Sequence, residues 1–100
     1  MTRNHRETGT EKAYRALQNI AEEPVMDEFL WDTEVADFID VIRQAGIETF
    51  VYTNQPTFEN LHAFAANGCT KIGYRTITRK EIYRGEEETY EVEGIRFKLN

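Results

Sequence analysis

The residues with the most chemical potential in this 100-residue chain lie between Thr53 and Cys69. Glu59 and His62 stand three apart, a spacing that sets a carboxylate and an imidazole on one helical face, where they can bind a divalent metal; Cys69 is a third donor type nearby. The set is incomplete, because no CxxC or HExxH spacing occurs and the other histidine, His5, lies near the N-terminus. No metal or other cofactor is therefore expected, and His62 reads first as a helix-surface residue. As a nucleophile, Cys69 would need His62 as base and an acid to orient it, whereas a lone cysteine at a strand start reads as a small buried hydrophobe. Carboxylates are plentiful but none is singled out for acid–base work. No catalytic residue is assigned, and a non-enzymatic protein is expected.

The loop that precedes this region, Thr53-Asn54-Gln55-Pro56-Thr57, follows one apolar run and opens another. Such a loop lies beyond the carboxyl end of a strand and at the positive end of a helix, where α/β sheets hold ligands and backbone N–H groups hold anions. Asn54, Gln55 and Thr57 are its candidate ligand-binding residues. Against this, the loop has neither glycine nor lysine, and turn and cap chemistry accounts for the same residues.

Charge supplies the leading candidate. Between Arg15 and Arg43 there is no basic residue, while Glu22, Glu23, Asp27, Glu28, Asp32, Glu34, Asp37 and Asp40 all fall there. With Phe29 and Trp31 among them, the residues Asp27, Glu28, Phe29, Trp31, Asp32, Glu34, Asp37 and Asp40 form a candidate partner-binding surface. Carboxylates dispersed over one face can compete for basic clefts that bind nucleic acid. The plainer reading is a solvated helix face that confers solubility. By contrast, Lys71, Arg75, Arg79, Lys80 and Arg84 make the C-terminal region locally basic, so a dipolar molecule is expected. Such a layout suits docking in a fixed orientation to a protein, a second copy of the chain included.

These groups need elements to hold them. Residues 47–53 are β-branched or aromatic at nearly every position, with Phe50 and Tyr52 on one face and Ile47, Thr49 and Val51 on the other, as in a central strand. Thr57 is placed to cap a helix in which Phe58, Leu61, Phe64 and Ala65 form the apolar side, with Glu59, Asn60 and Asn67 opposite and Gly68 as the stop. Residues 69–74 return as a strand, and the simplest geometry is a parallel pair joined by a right-handed crossover. Upstream, Thr8 and Glu11 have capping-box spacing before a helix with a narrow stripe of Ala13, Ala16, Leu17 and Ile20, ended by Glu22, Glu23 and Pro24. Residues 25–31 suggest a short helical turn starting at Pro24 and leave open whether Phe29 and Trp31 are core or contact surface. Asp32 or Thr33 caps a second helix with Val35, Phe38, Ile39 and Ile42 inward and Gly46 as its close. Downstream, β-formers on both sides of Gly85 indicate a hairpin turning at Gly85 with Glu86, Glu87 and Glu88. A shift in apolar phase between Val92 and Ile95 favours a bulge at Gly94 over a tight turn at Glu93 and Gly94.

The expected fold is thus one α+β domain: residues 1–7 mobile, 8–45 helical, 46–74 a βαβ unit and 75–100 a hairpin. These form a mixed sheet of about three strands packed by two to three helices. A formal net charge of −6 argues against direct binding to a nucleic-acid backbone. No apolar run approaches the ~20 residues a membrane span needs, and no signal-peptide core is present, so a cytoplasmic location is expected.

The run from Ala45 to Tyr74, with FVYTNQPT before the helix and LHAFAANG at its end, together with the closing IRFKLN, resembles a family of small uncharacterised proteins of Firmicute genomes and their phages or conjugative elements. The resemblance implies an α+β fold and an accessory role on mobile DNA, with no active site to transfer. Small acidic proteins of that setting include inhibitors of host defence such as anti-CRISPR proteins, which this chain is similar to in size and charge. The leading expectation is an inhibitor that occupies the basic surface of a nucleic-acid-processing enzyme such as a CRISPR effector.

Overall fold

Punctuation and periodicity place most of the elements. A computed structural model describes residues 5–18 and 23–100, as three helices and four strands: α1 (His5–Gln18), β1 (Val25–Met26), α2 (Asp32–Gln44), β2 (Thr49–Tyr52), α3 (Phe58–Ala66), β3 (Cys69–Tyr83) and β4 (Glu86–Leu99). Helix α1 begins at His5, three residues before the expected start at Thr8; the expectations for residues 1–4 and for Ile20 and Glu22 lie outside the described residues.

The sheet has strand order β1-β2-β4-β3, one strand more than expected. Its parallel pair is β1 with β2, in the register Val25↔Val51 and Met26↔Tyr52. The expected helical turn after Pro24 is therefore a short strand. Pro24 and Met26 offer carbonyls to the N–H groups of Val51 and Thr53, and a β-branched and an unbranched apolar residue fill the two faces. Strands β2 and β3 do not pair as the simple crossover requires: β4 lies between them, antiparallel to both. The apolar face of β4, Phe97 and Leu99, supplies what a strand inserted at the sheet centre must bury.

On one face of the sheet the rings of Phe38, Phe50, Phe64 and Phe97 meet at centroid distances of 4.7–5.9 Å, beneath α2 and α3. Phe50, Phe38 and Phe64 are fully buried, and each large apolar side chain so placed contributes about 1.5–3 kcal/mol. Helix α1 lies mainly on α2, with a smaller contact to β1, and Ala13 and Ala16 are buried. Its small stripe permits close contact: a Cβ added to Gly9 would stand 2.7 Å from the Glu34 carbonyl oxygen.

Two details depart from the expected pattern. The β3–β4 ladder is continuous through Gly94, and its irregularity lies in β3 between Lys71 and Gly73. Gly94 is there for another reason, since a Cβ at that position would fall 2.4 Å from Val51 Cγ1. The apolar phase shift between Val92 and Ile95 reflects two faces of one strand: Ile95 packs on the core, and Val92 faces the opposite side. In α3 the buried side chains are Asn60 and Phe64, whereas Phe58, Leu61 and Ala65 are exposed. Phe58 and Phe64 stand about 120° apart on a helical wheel, so both cannot face the core. The hairpin turn is Arg84-Gly85, both with positive φ, and Glu86 to Glu88 belong to β4.

Candidate partner-binding surface

The acidic stretch divides into three environments. Glu34, expected on the surface, is fully buried: its Oε1 accepts from Lys12 Nζ and from the Trp31 backbone N–H, each at 2.9 Å. Trp31 is the N-cap of α2 and has no acceptor side chain, so the carboxylate three residues on reaches back to its N–H. This explains why neither Asp32 nor Thr33 is the cap. Glu34 Oε2 is buried with no hydrogen-bond partner among the described residues.

Other acids are engaged at the surface. Glu28 receives a two-point contact from Arg15 at 2.7 and 2.8 Å, and these hydrogen bonds hold its carboxyl below the ordinary value. Asp27 lies 3.6 Å from Arg79. Asp40 accepts from Gln44, and Asp37 is half-buried with a partner of its own. Asp32 is exposed at the first turn of α2.

The stretch 25–31 is both core and surface. Met26 and Leu30 are buried, the Leu30 N–H donating to the Tyr52 hydroxyl at 3.1 Å, while Trp31 is 59% exposed. Half-buried Phe29 meets the Trp31 ring edge-on at 5.0 Å and fixes its orientation.

Helix α3 brings a second set of residues to the same place. The buried Asn60 amide donates to the Leu30 carbonyl, anchoring the first turn of α3 beside the start of α2. As a result Asp32, Phe58, Glu59, His62 and Ala63 line one shallow hollow of about 440 Å³. Phe58, at the first helical position, is 89% exposed. Exposed Phe58 thus shares a hollow with Asp32, the residue that follows exposed Trp31 in the chain, and the Asp32 and Glu59 carboxylates lie at the positive ends of two helices. Phe58 and Glu59 were not among the expected interface residues; the i, i+4 spacing of Asn60 and Phe64 was the signal that Phe58 faces outward.

The Asn54–Thr57 loop contributes mainly structure. Asn54 Nδ2 donates to the Asp27 carbonyl at 2.9 Å, and Thr57 Oγ1 accepts from the Asn60 N–H at 3.1 Å as the α3 cap. Gln55 is exposed. The loop borders a hollow of about 380 Å³ with Tyr52, Leu61, Lys71 and Tyr74, whose Lys71 ammonium lies over the Tyr74 ring, 4.4 Å from its centroid. Glu59 and His62 share their hollow with Asp32, but no group of three His, Cys, Asp or Glu side chains able to hold a metal occurs among the described residues. Cys69 is buried, and burial pushes its thiol up to about 11.

The opposite face of the sheet carries a network with no counterpart in the sequence reading. Glu23, 6% exposed, accepts from Arg75 at 3.0 Å, from Arg96 at 2.8 and 3.1 Å, and from the Thr49 hydroxyl. Burial alone would raise its carboxyl; the hydrogen bonds from Arg96, Thr49 and Arg75 outweigh this and leave it below the ordinary value. Arg79 adds a 2.7 Å bond to Thr53 Oγ1. Three cations of β3, Arg75, Arg79 and Lys80, are thus paired with Glu23, Asp27 and Glu87, so acids interleave with this part of the expected basic pole, while Lys71 lies over Tyr74. Glu23 and its arginines lie 52 and 73 residues apart, which local pattern cannot anticipate.

Residues 10–99 match a domain of unknown function, DUF7698. The chain belongs to that family. No curated protein and no solved structure matches it. Across the family domain, the described helices include none long and apolar enough to cross a membrane.

Proposed function

We propose that this protein is a non-enzymatic binding protein that seats Trp31 and Phe58, with Asp32 and Glu59, on a partner protein presenting cations around an apolar pocket. What carries the reading is the exposure of these two aromatics, each followed in the chain by a carboxylate, Asp32 and Glu59, that lines one hollow: apolar anchors with a charged margin are how protein interfaces combine affinity with orientation. The net charge of −6 favours a basic partner surface, and a nucleic-acid-processing enzyme, such as a CRISPR effector, has one in its substrate cleft. Occupying that cleft would inhibit the enzyme stoichiometrically, in keeping with the role that the resemblance to mobile-element proteins implies. Glu34 has no part in this surface, because it is interior.

The test compares tagged wild-type protein with the Trp31→Ala/Phe58→Ala double variant in captures from nuclease-treated lysate. Both side chains are exposed, so the variant should melt within a few degrees of wild type. A protein retained by the wild type should fall at least about tenfold with the variant. Equal recovery by both would refute the proposed surface.

A further inference from the structure

Strand β3 is the edge of the sheet, and its outer side pairs with no other strand among the described residues. The hairpin geometry decides which of its groups face outward. Arg84 and Gly85, with φ of 53° and 81°, make a two-residue turn of type I′, which closes on the hydrogen-bonded pair Tyr83↔Glu86. Alternation then turns the N–H and C=O of Arg75, Ile77, Arg79 and Glu81 toward β4, and those of Tyr74, Thr76, Thr78, Lys80 and Ile82 outward.

From this we infer that residues 74–82 pair edge to edge with the same segment of a second copy, antiparallel about a two-fold axis at Thr78. The segment Tyr-Arg-Thr-Ile-Thr-Arg-Lys-Glu-Ile is self-complementary in that register. Tyr74 and Ile82, 56% and 79% exposed, fall opposite each other on one face of the joined sheet. On the other face Arg75, whose guanidinium also holds Glu23, falls opposite Glu81, and Ile77 falls opposite Arg79; Thr78 meets its own copy at the axis. Each apolar and charged pair occurs twice, with about ten backbone hydrogen bonds between the strands. Neighbouring registers lack this match: centring on Lys80 opposes two lysines, and centring on Thr76 sets Lys80 against Ile72. Lysine commonly protects an edge from pairing, but here Lys80 faces Thr76, and the irregularity between Lys71 and Gly73 lies outside the paired segment. The surface is distinct from the Trp31–Phe58 face, so dimerisation and partner binding can fail separately.

Sedimentation equilibrium from micromolar to millimolar concentration tests the pairing on wild type, Thr78→Pro and Glu81→Arg. Proline removes the outward N–H at the axis without breaking a β3–β4 bond. Arginine at 81 opposes Arg75 twice across the axis, on a side chain that is exposed and accepts from the Tyr90 hydroxyl. The expected results are a concentration-dependent wild-type dimer, a monomeric Thr78→Pro, and a dissociation constant raised about tenfold by Glu81→Arg. A wild type that stays monomeric throughout would assign the edge to some other strand and overturn the inference. A dimer whose affinity neither variant lowers would overturn it too.

Discussion

Glu23 shows how far one ionisable side chain can bind distant parts of this chain together. Its carboxylate draws Arg75 of β3, Arg96 of β4 and Thr49 of β2 to the residue two places before β1, so four segments meet at one nearly buried group. Because its carboxyl is lowered in the fold, the unfolded chain takes up a proton at higher pH than the folded one does. Stability from this group is present above the ordinary carboxylate range, ~4.3, and is lost as pH falls through the lower folded value. Glu23→Gln should therefore cost about 1–3 kcal/mol at neutral pH and flatten the decline of melting temperature on acidification. Melting curves from neutral to strongly acid pH for both proteins are the check, and parallel declines would show that Glu23 is not the linked group. Glu34 is the contrasting case: equally acidic in the sequence, it spends its charge on Lys12 and on the open N-terminus of α2.

Among the elements, β4 is the one on which the others depend. It pairs with β2 through residues 95–98 and with β3 along nearly its whole length, and Gly94 lets it cross beside Val51. Gly94→Ala would drive a methyl group into Val51 Cγ1, a buried β-branched side chain with little room to turn. Overpacking of this kind costs about 1–3 kcal/mol, equivalent to roughly 4–8 °C of melting temperature per kcal/mol in a chain of this size. Calorimetry of the variant should show that loss, and an unchanged transition would mean the strands can separate there at no cost. Helix α3 carries a related lesson. The Thr57 cap was legible from residue type, but its inward face was misjudged, because a polar residue, Asn60, occupies the core position to cap both its own helix and the Leu30 carbonyl.

The whole molecule consists of a helix-covered body and a two-stranded ribbon beyond it. Strand β2 reaches only Ile95, so from there to the turn β4 has a partner on one side alone. By the same alternation that governs β3, the N–H groups of Glu87, Thr89 and Glu91 point away from the ladder. Their amides should exchange with solvent almost unprotected, while those of Phe50 and Phe97 exchange slowest, a gradient that residue-resolved hydrogen exchange would reveal. Uniform protection along β4 would contradict this division. An isolated ribbon is marginally stable in water, and Ile82 and Tyr83 near its turn are exposed.

What the sequence by itself determined is whatever neighbouring residues decide: the α2 stripe from Val35 to Ile42, the Thr57 cap, the Gly46 and Gly68 stops, the two faces of β2 and the hairpin at Gly85. Each rests on a backbone preference or a periodicity expressed within a few residues. The tertiary structure alone decided the pairing of β1 with β2, the insertion of β4 between β2 and β3, the burial of Glu34 and Glu23, and the outward turn of Phe58. These depend on groups separated by tens of residues, where the favourable interaction is made only after the chain has closed its loops. The candidate surface follows the same division, with Trp31 and Asp32 visible in an acidic, aromatic run and Phe58 and Glu59 brought to Asp32 only because Asn60 ties one helix start to the other.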